Sequence, residues 1–390
     1  MAQDPSRFEL KAVRIAGQTQ AVDLLVSDGV IADISPTGTK AATLILPLMA
    51  DAHVHLDKTF TVRRTGGGAT SLFDAIDRME TDKSNWTDED LFARGTRALE
   101  TAWLHGIGAM RTHVDWMTPE VPQAWRVLSA LRDTWRGRVD LQLASLSPID
   151  VLADAADEIA AQVSASDGVF GAFIYRNDDL LRKIEHVFAV SSKHDLPLDF
   201  HVDEGLEEAA QGFDIIVESA GRRNDAPSVL CGHACSLSVR PADDVKRVLG
   251  AAAKAQVGLI VLPTTNSYLQ DNQPGRTPRL RGIAPMHEAA AAGMDVLIAS
   301  DNVRDVFYPY GDYDLFDVFR GCVGMAHLDP TAWLPAISQR AVKWCDSSAI
   351  GDIAVGKPAH FISLNATDLD DALSRPNATK RVCRDGVFIQ

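Results

Sequence analysis

The sequence predicts an α/β protein: a (β/α)8 TIM barrel carrying a small β-sandwich domain assembled from both chain ends. Three observations predict it. Strand-like and helix-like stretches alternate through the middle of the chain. Both ends consist of short strands separated by turn signals. Histidines and acids gather where the central strands stop.

The central strands are Leu44–Ala50, Gly108–Val114, Val139–Leu146, Val169–Ile174, Leu198–Val202, Val229–Gly232, Val257–Leu262 and Asp295–Ala299. Amphipathic stretches such as Asp88–His105, Pro119–Trp135, Asp178–His194, Pro241–Ala255 and Ala284–Ala292 lie between them. Eight alternations over roughly 255 residues suit a closed barrel. A doubly wound open sheet is the competitor, and it favours a glycine-rich loop after its first strand. Here that strand runs into Asp51-Ala52-His53-Val54-His55-Leu56-Asp57-Lys58, and Gly66-Gly67-Gly68 comes too late to cap it. At the ends, Phe8–Ile15, Ala21–Val26, Val30–Ile34 and Leu44–Leu46 read as strands, as do Ala359–Leu364, Lys380–Cys383 and Val387–Ile389. They form one β domain of residues 1–46 and 355–390, or two separate edge extensions, around a barrel of residues 47–354.

Composition narrows the function. The 390 residues are 46 % hydrophobic and 23 % charged, which excludes a disordered or collagen-like chain. A net charge of −15 disfavours nucleic acid as a partner. No apolar run reaches the ~18 residues of a membrane span, and the first residues hold no signal-peptide core. The cytoplasm is the expected compartment. Five cysteines make no disulfide framework. Cys231 and Cys235 have no second pair nearby and read as buried thiols rather than a zinc site.

In a barrel, chemistry collects at the C-terminal strand ends. His53 and His55 end the first strand, and residues two apart on a strand face the same way. With His201 and Asp301 at two further strand ends, they give three imidazoles and one carboxylate, a set that suits one divalent metal ion, Zn2+ or Fe2+. Glu204, three residues past His201, is placed to take a proton from water and pass it to a substrate nitrogen. His233 reads as a ligand, a packed core group or, preferably, a hydrogen-bond donor to growing charge.

These segments resemble the amidohydrolase superfamily, and within it the branch containing cytosine deaminase. The resemblance rests on His53-Val54-His55-Leu56-Asp57, Arg111-Thr112-His113-Val114-Asp115, His201-Val202-Asp203-Glu204, Gly232-His233, Ser300-Asp301-Asn302 and Tyr308-Pro309-Tyr310-Gly311. It covers nearly the whole chain. It implies a metal held by His53, His55, His201 and Asp301, proton shuttling by Glu204 and Asp301, and His233 beside the nucleophilic water. Dinuclear relatives carry a lysine at the end of strand 4, where this chain reads Gly171-Ala172-Phe173-Ile174-Tyr175-Arg176-Asn177, so one metal is expected. The branch is often homo-oligomeric, which makes a homo-oligomer an expectation here.

Two departures bear on substrate. Cytosine deaminases of the branch carry a glutamine after strand 3, where this chain reads Ala144-Ser145-Leu146-Ser147-Pro148. Asn302 stands where they tend to have a second aspartate, a form closer to relatives acting on N-alkylamino triazines. The expected substrate is a small aminated N-heterocycle, cytosine- or 5-methylcytosine-like, deaminated by water with release of ammonia; the two departures point from cytosine itself toward a substituted ring or a non-pyrimidine. The rival outcome is alkylamine release from an aminotriazine or cleavage of a cyclic amide; a metal-bearing binding protein without turnover is the rival from another class. Asn302, Trp116, Tyr175, Arg176 and Phe60 are candidate substrate-binding residues, with Tyr308 as a further wall. Arg176 either holds a polar substrate group or pairs with Asp178 or Asp179.

Overall fold

The computed structural model describes residues 7–223, 227–348 and 350–389, so residues 1–6 and 390 of the expected terminal domain lie outside it. The chain begins with β1 (Arg7–Ile15), β2 (Ala21–Ser27), β3 (Val30–Pro36) and β4 (Thr43–Leu46). The barrel follows, with β5 (Met49–Val54), β6 (Ile107–Asp115), β7 (Asp140–Pro148), β8 (Phe170–Ile174), β9 (Leu198–Val202), β10 (Val229–His233), β11 (Gly258–Val261) and β12 (Val296–Ile298). The chain then returns through β13 (Phe361–Leu364), β14 (Lys380–Arg384) and β15 (Val387–Ile389).

Strands β5 to β12 form one parallel sheet in chain order. A parallel bridge between Val54 and Asp301 closes it, with Asp301 N–H donating to His53 C=O at 2.9 Å. The strands are buried along almost their whole length, as expected where helices cover the outer face. Their edges agree with the sequence reading to within a residue or two, with one exception. The stretch Leu44–Ala50 is not one strand. Pro47 has no N–H to give a ladder, and the chain divides there into β4 of the terminal sheet and β5 of the barrel.

The terminal strands form a seven-stranded sheet in the order β15-β14-β13-β4-β1-β2-β3. Alternation along β2 turns Val22, Leu24 and Val26 inward, where they meet Ile31, Ile45 and Phe361 in a core separate from the barrel's. This sheet docks at the base of the barrel, away from the strand ends that carry the histidines. Arg384 reaches from β14 to donate to Ile107 C=O at 2.7 Å and Trp103 C=O at 3.1 Å. Burial lowers the pKa of its guanidinium to about 10. Among the described residues no helix is long and apolar enough to cross a membrane.

Gly106 marks the tightest point of that docking. Its φ is +90°, and an added Cβ would lie 2.5 Å from Ile362 Cδ1. Gly106→Ala therefore combines left-handed backbone strain of ~1–2 kcal/mol with a steric clash between barrel and terminal sheet. It should lower the urea midpoint of unfolding by a corresponding amount, while a surface control such as Gly250→Ala should not.

Candidate active site

All the chemistry-bearing side chains project from the C-terminal rim of the barrel. His53 lies on β5 and His55 just beyond it; His201 lies on β9, followed by Asp203 and Glu204; His233 ends β10; Asp301 follows β12. Asp203, His233 and Asp301 have φ of 50°, 71° and 63°. Non-glycine residues avoid this region, and three such residues, at the ends of β9, β10 and β12, mark a rim held by its surroundings in a costly geometry.

The two imidazoles of the His53-Val54-His55 segment meet as expected, their ring centroids 5.4 Å apart. His55 Nε2 lies 3.2 Å from Asp301 Oδ1 and 3.3 Å from His201 Nε2; His53 Nε2 lies 3.6 Å from Asp301 Oδ1. Bonds of ~2.1 Å to a tetrahedral ion give donor–donor edges of about 3.4 Å. These three separations lie near that figure; His53, His55 and Asp301 converge as one candidate cation group, while His201 groups with His53, His113 and Asp199. His53 Nε2 and both Asp301 carboxylate oxygens are buried and have no hydrogen-bond partner among the described residues. Nitrogen and oxygen donors converging without protons between them fit a divalent cation and little else. Burial, followed by the charge of neighbouring imidazoles or of Lys58, holds His53, His55 and His201 well below the usual histidine range. They are therefore neutral imidazoles at pH 7, the form able to bind a metal ion.

Two residues with no assigned role support this set from beneath. The His113 ring centroid lies 4.1 Å from that of His53, tilted by 37°, and 4.7 Å from that of His201, edge to face. Its Nε2 lies 3.2 Å from Asp199, which also takes Arg111 Nη1 at 2.7 Å. Burial pushes the Asp199 carboxyl up, but His113 and Arg111 outweigh it and leave the pKa low. The signal was present in the sequence: Asp199 is two residues before His201 and shares its face of β9.

Glu204 and His233 sit beside the ligand set, with His233 Nδ1 3.6 Å from Glu204 Oε1. Burial, with the Asp301 charge behind it, raises Glu204 well above the carboxylate range. Burial lowers His233 to about 4. Asn266 Nδ2 lies 3.0 Å from His233 Nδ1.

A cavity of about 330 Å³ opens over these groups. One side is polar: Lys58, Asp115, Glu204, Asp301 and Asn302. The other is apolar: Ile76 and Met79 from the helix Leu72–Asp82, with Leu146, Phe173 and Phe307. That helix crosses the mouth, its N-terminus capped by Ser71, and Phe73 meets Tyr175 edge to face at 5.0 Å.

Of the expected wall residues, Asn302 and Tyr175 line the cavity. Three others do not. Trp116 is fully buried against Trp125, with ring centroids 5.0 Å apart. Its neighbour Asp115 faces the cavity, so alternation turns Trp116 outward toward the helix Gln123–Trp135. Phe60 turns away at φ 61° and packs under Arg97, 4.1 Å from its ring centroid. Arg176 is exposed and pairs with Glu207 rather than with Asp178, Asp179 or a ligand. Tyr308 lines a separate depression beside Tyr310 and Asp317. Sequence reasoning gave no role to Lys58, whose ammonium lies 2.6 Å from Asp115 and 3.3 Å from His55 Nδ1. All five cysteines are free and buried.

A buried His/Asp cluster at the C-terminal rim of a (β/α)8 barrel is a candidate metal site of the kind hydrolases use. Residues 163–389 match the profile of the amidohydrolase family. A pterin deaminase of Rhizobium rhizogenes is 34 % identical over 98 % of this chain and 93 % of its own. The chain belongs to the amidohydrolase family, hydrolases of carbon–nitrogen bonds other than peptide bonds. Among solved structures, 5-methylcytosine deaminase from Klebsiella pneumoniae, liganded with 5-fluorocytosine, superposes with a TM-score of 0.85 at 21 % identity, covering 98 % of this chain and 97 % of that one. N-isopropylammelide isopropylaminohydrolase from Burkholderia multivorans superposes at 0.77, also 21 % identical, over 98 % of each chain.

Two predictions follow from the geometry. An added Cβ on Gly232 would lie 2.9 Å from His53 Cε1. Gly232→Ala should fold but hold well under one metal ion per chain, read by elemental analysis; full loading would mean that the His53 ring adapts. Asp305 is buried and accepts from Asn302 Nδ2 at 2.7 Å and from the Phe307 and Tyr308 N–H groups. Burial raises its pKa from 3.8 to about 7. The native state then binds the extra proton, so its contribution to stability is full below about 4 and is lost as pH rises through about 7. Asp305→Asn should flatten the stability profile across that window, and an unchanged slope would remove Asp305 as its source.

Proposed function

We propose that the barrel of residues 47–354 is a hydrolytic deaminase of an aminated N-heterocycle, with a bicyclic 2-amino-4-oxo ring of the pterin type as its substrate class. The observation that carries this is Glu204: a buried carboxyl whose pKa burial raises well above its ordinary value, facing the same cavity as His233 and Asp301. The full-length similarity to a pterin deaminase supports the ring class. The missing glutamine supports it too, because Leu146 and Pro148 offer flat apolar contact where a pyrimidine-reading amide would stand.

His53, His55, His201 and Asp301 would hold one divalent ion, Zn2+ or Fe2+. Such an ion supplies Lewis acidity and lowers the pKa of water toward ~7. Every other step belongs to the chain. Glu204 donates its proton to a ring nitrogen and makes the amine-bearing carbon electrophilic. As water adds to that carbon, Asp301 takes a proton from it. Asn266 donates to His233 Nδ1, which leaves the imidazole proton on Nε2 as a donor to the developing oxyanion. The carbon–nitrogen bond to the exocyclic amine then breaks. Protons relayed through Asp301 and Glu204 leave with ammonia, and a ring carbonyl remains. The apolar face of the helix Leu72–Asp82, Phe73, Ile76 and Met79, lines the cavity and keeps bulk water from these transfers.

The test is ammonia release by metal-loaded protein from pterin, cytosine, 5-methylcytosine, isoguanine, creatinine and aminotriazines, with products identified by mass spectrometry. Ammonia with the ring intact is expected, pterin foremost. Alkylamine release from N-alkylated triazines in its place would overturn the deaminase reading. Glu204→Gln should retain metal and lose at least ~100-fold in kcat, the scale of a lost general acid–base. Loss of metal in that variant would make Glu204 a ligand.

A further inference from the structure

The polar wall formed by Lys58 and Asp115 has no part in the proton transfers just described. Lys58 is almost fully buried, lies in the turn after β5 and lines the cavity. An ammonium has three N–H donors. One goes to Asp115 Oδ1 at 2.6 Å and a second to Asp57 Oδ2 at 3.5 Å. The third points toward His55 Nδ1 at 3.3 Å. His55 Nε2, however, is turned into the ligand set, 3.2 Å from Asp301 and 3.3 Å from His201. With Nε2 committed to the ion that this set would hold, the imidazole proton resides on Nδ1, which then has no lone pair to offer. The third donor of Lys58 lacks an acceptor in the protein.

Asp115 is its complement. Oδ1 faces Lys58, and Oδ2 faces Lys83 at 3.3 Å, at the end of the helix that crosses the mouth. Burial pushes this carboxyl up, but Lys58 and Lys83 outweigh it and keep it ionised. A carboxylate has about four acceptor sites, so room remains for a further donor. The nearby amides are spoken for. Gln270 donates to the Glu204 main chain, Asn177 bonds Asp150 and the Tyr175 N–H, and Asn302 donates to Asp305.

We infer that Lys58 and Asp115 form the subsite that reads a lactam edge of the substrate, Lys58 donating to a ring carbonyl and Asp115 accepting from the adjacent ring N–H. This rests on the deaminase reading above and specifies what that substrate must present. An adjacent donor and acceptor on side chains already ion-paired to each other perform the task of one amide. Lys83 fixes Asp115 from the far side, so the subsite is complete only with the helix Leu72–Asp82 in place over the cavity. A ring lacking the edge would leave the buried Lys58 ammonium and the partly buried Asp115 carboxylate without their ligand partner, and sites of this kind reject such rings strongly.

The test compares pterin with 2-amino-4-methoxypteridine, which keeps the bicycle and the 2-amino group but has neither the carbonyl nor the ring N–H. Wild type should favour pterin by at least ~100-fold in kcat/KM. Lys58→Met and Asp115→Asn should retain metal and narrow that ratio at least tenfold, mainly by losing pterin turnover. Lys58→Gln, which keeps a donor, should recover part of it. Binding of the 2,4-dioxopteridine product, followed by calorimetry, should weaken at least tenfold in Lys58→Met. An unchanged ratio in folded, metal-loaded variants overturns the inference. So does an equal loss on both substrates, which would mark Lys58 and Asp115 as general supports of the metal site. If wild type releases ammonia from neither ring, the deaminase reading fails on its own. The calorimetry still decides the subsite, because equal affinity of the dioxopteridine for wild type and Lys58→Met overturns it. Should Lys58→Met fail to fold, Asp115→Asn and Lys58→Gln carry the same comparison.

Discussion

The structure turns on how the barrel closes. Asp301 N–H donates to His53 C=O, and Ser300 N–H donates to the Asp51 carboxylate at 3.0 Å. The first and last strands meet through these bonds and the Val54–Asp301 bridge. The residues that close the ring also carry His53, His55 and Asp301. Closure and assembly of the ligand set are therefore one event, joining segments almost 250 positions apart in the chain. The left-handed backbone of Asp301, at φ 63°, is sustained because the closing hydrogen bond uses that conformation.

Closure also concentrates polar groups where a barrel would ordinarily bury branched aliphatics. His53, His113, His201, Asp199 and Asp301 are all in the interior. Such a layer is tolerable only if each charge has a partner. Arg111 answers Asp199, and Lys58 answers Asp115. His53 and His201 are instead held well below the usual histidine range by their own burial. Asp301 is the member left with unmatched oxygens, and its donor set fits a cation for that reason. Removing one partner of either ion pair would strand the other charge, so these pairs act on the site's shape as much as on its chemistry.

Much of this was legible in the sequence because the relevant rules are short-range. Alternation puts His53 and His55 on one face, and a barrel brings strand ends together whatever their distance in the chain. The same alternation also held the answers that residue type obscured. Asp115 faces inward, so Trp116 faces out; Phe173 and Tyr175 face the cavity, so Arg176 does not. Aromatic character suggested a wall, and strand phase decided otherwise. Lys58 was harder to see. Its role depends on Asp115 reaching it from a different strand end and on the tautomer of His55, neither of which leaves a mark in local sequence. The helix Leu72–Asp82 was hidden for another reason. Its face toward the cavity, Phe73, Ile76 and Met79, has the spacing of an ordinary core-facing helix, and only its position over the rim makes it part of the site.

The cavity that results is asymmetric, and the asymmetry constrains what fits. Phe173, Phe307, Ile76 and Met79 give an apolar wall suited to the flat side of a ring. Lys58, Asp115, Glu204 and Asp301 give a polar wall suited to its edge. A flexible polar chain would leave the first wall unfilled, and a hydrocarbon would leave the second without partners. A flat heterocycle with nitrogen and oxygen around its rim satisfies both. The apolar wall also strengthens the other one, because charges facing a dry, low-dielectric surface interact more strongly than charges in water. Burial raises the Glu204 pKa in the same way, which favours passing its proton to a group brought inside with it. A ring nitrogen carried in by the substrate is such a group, so occupation of the cavity supplies the acceptor that the empty site withholds.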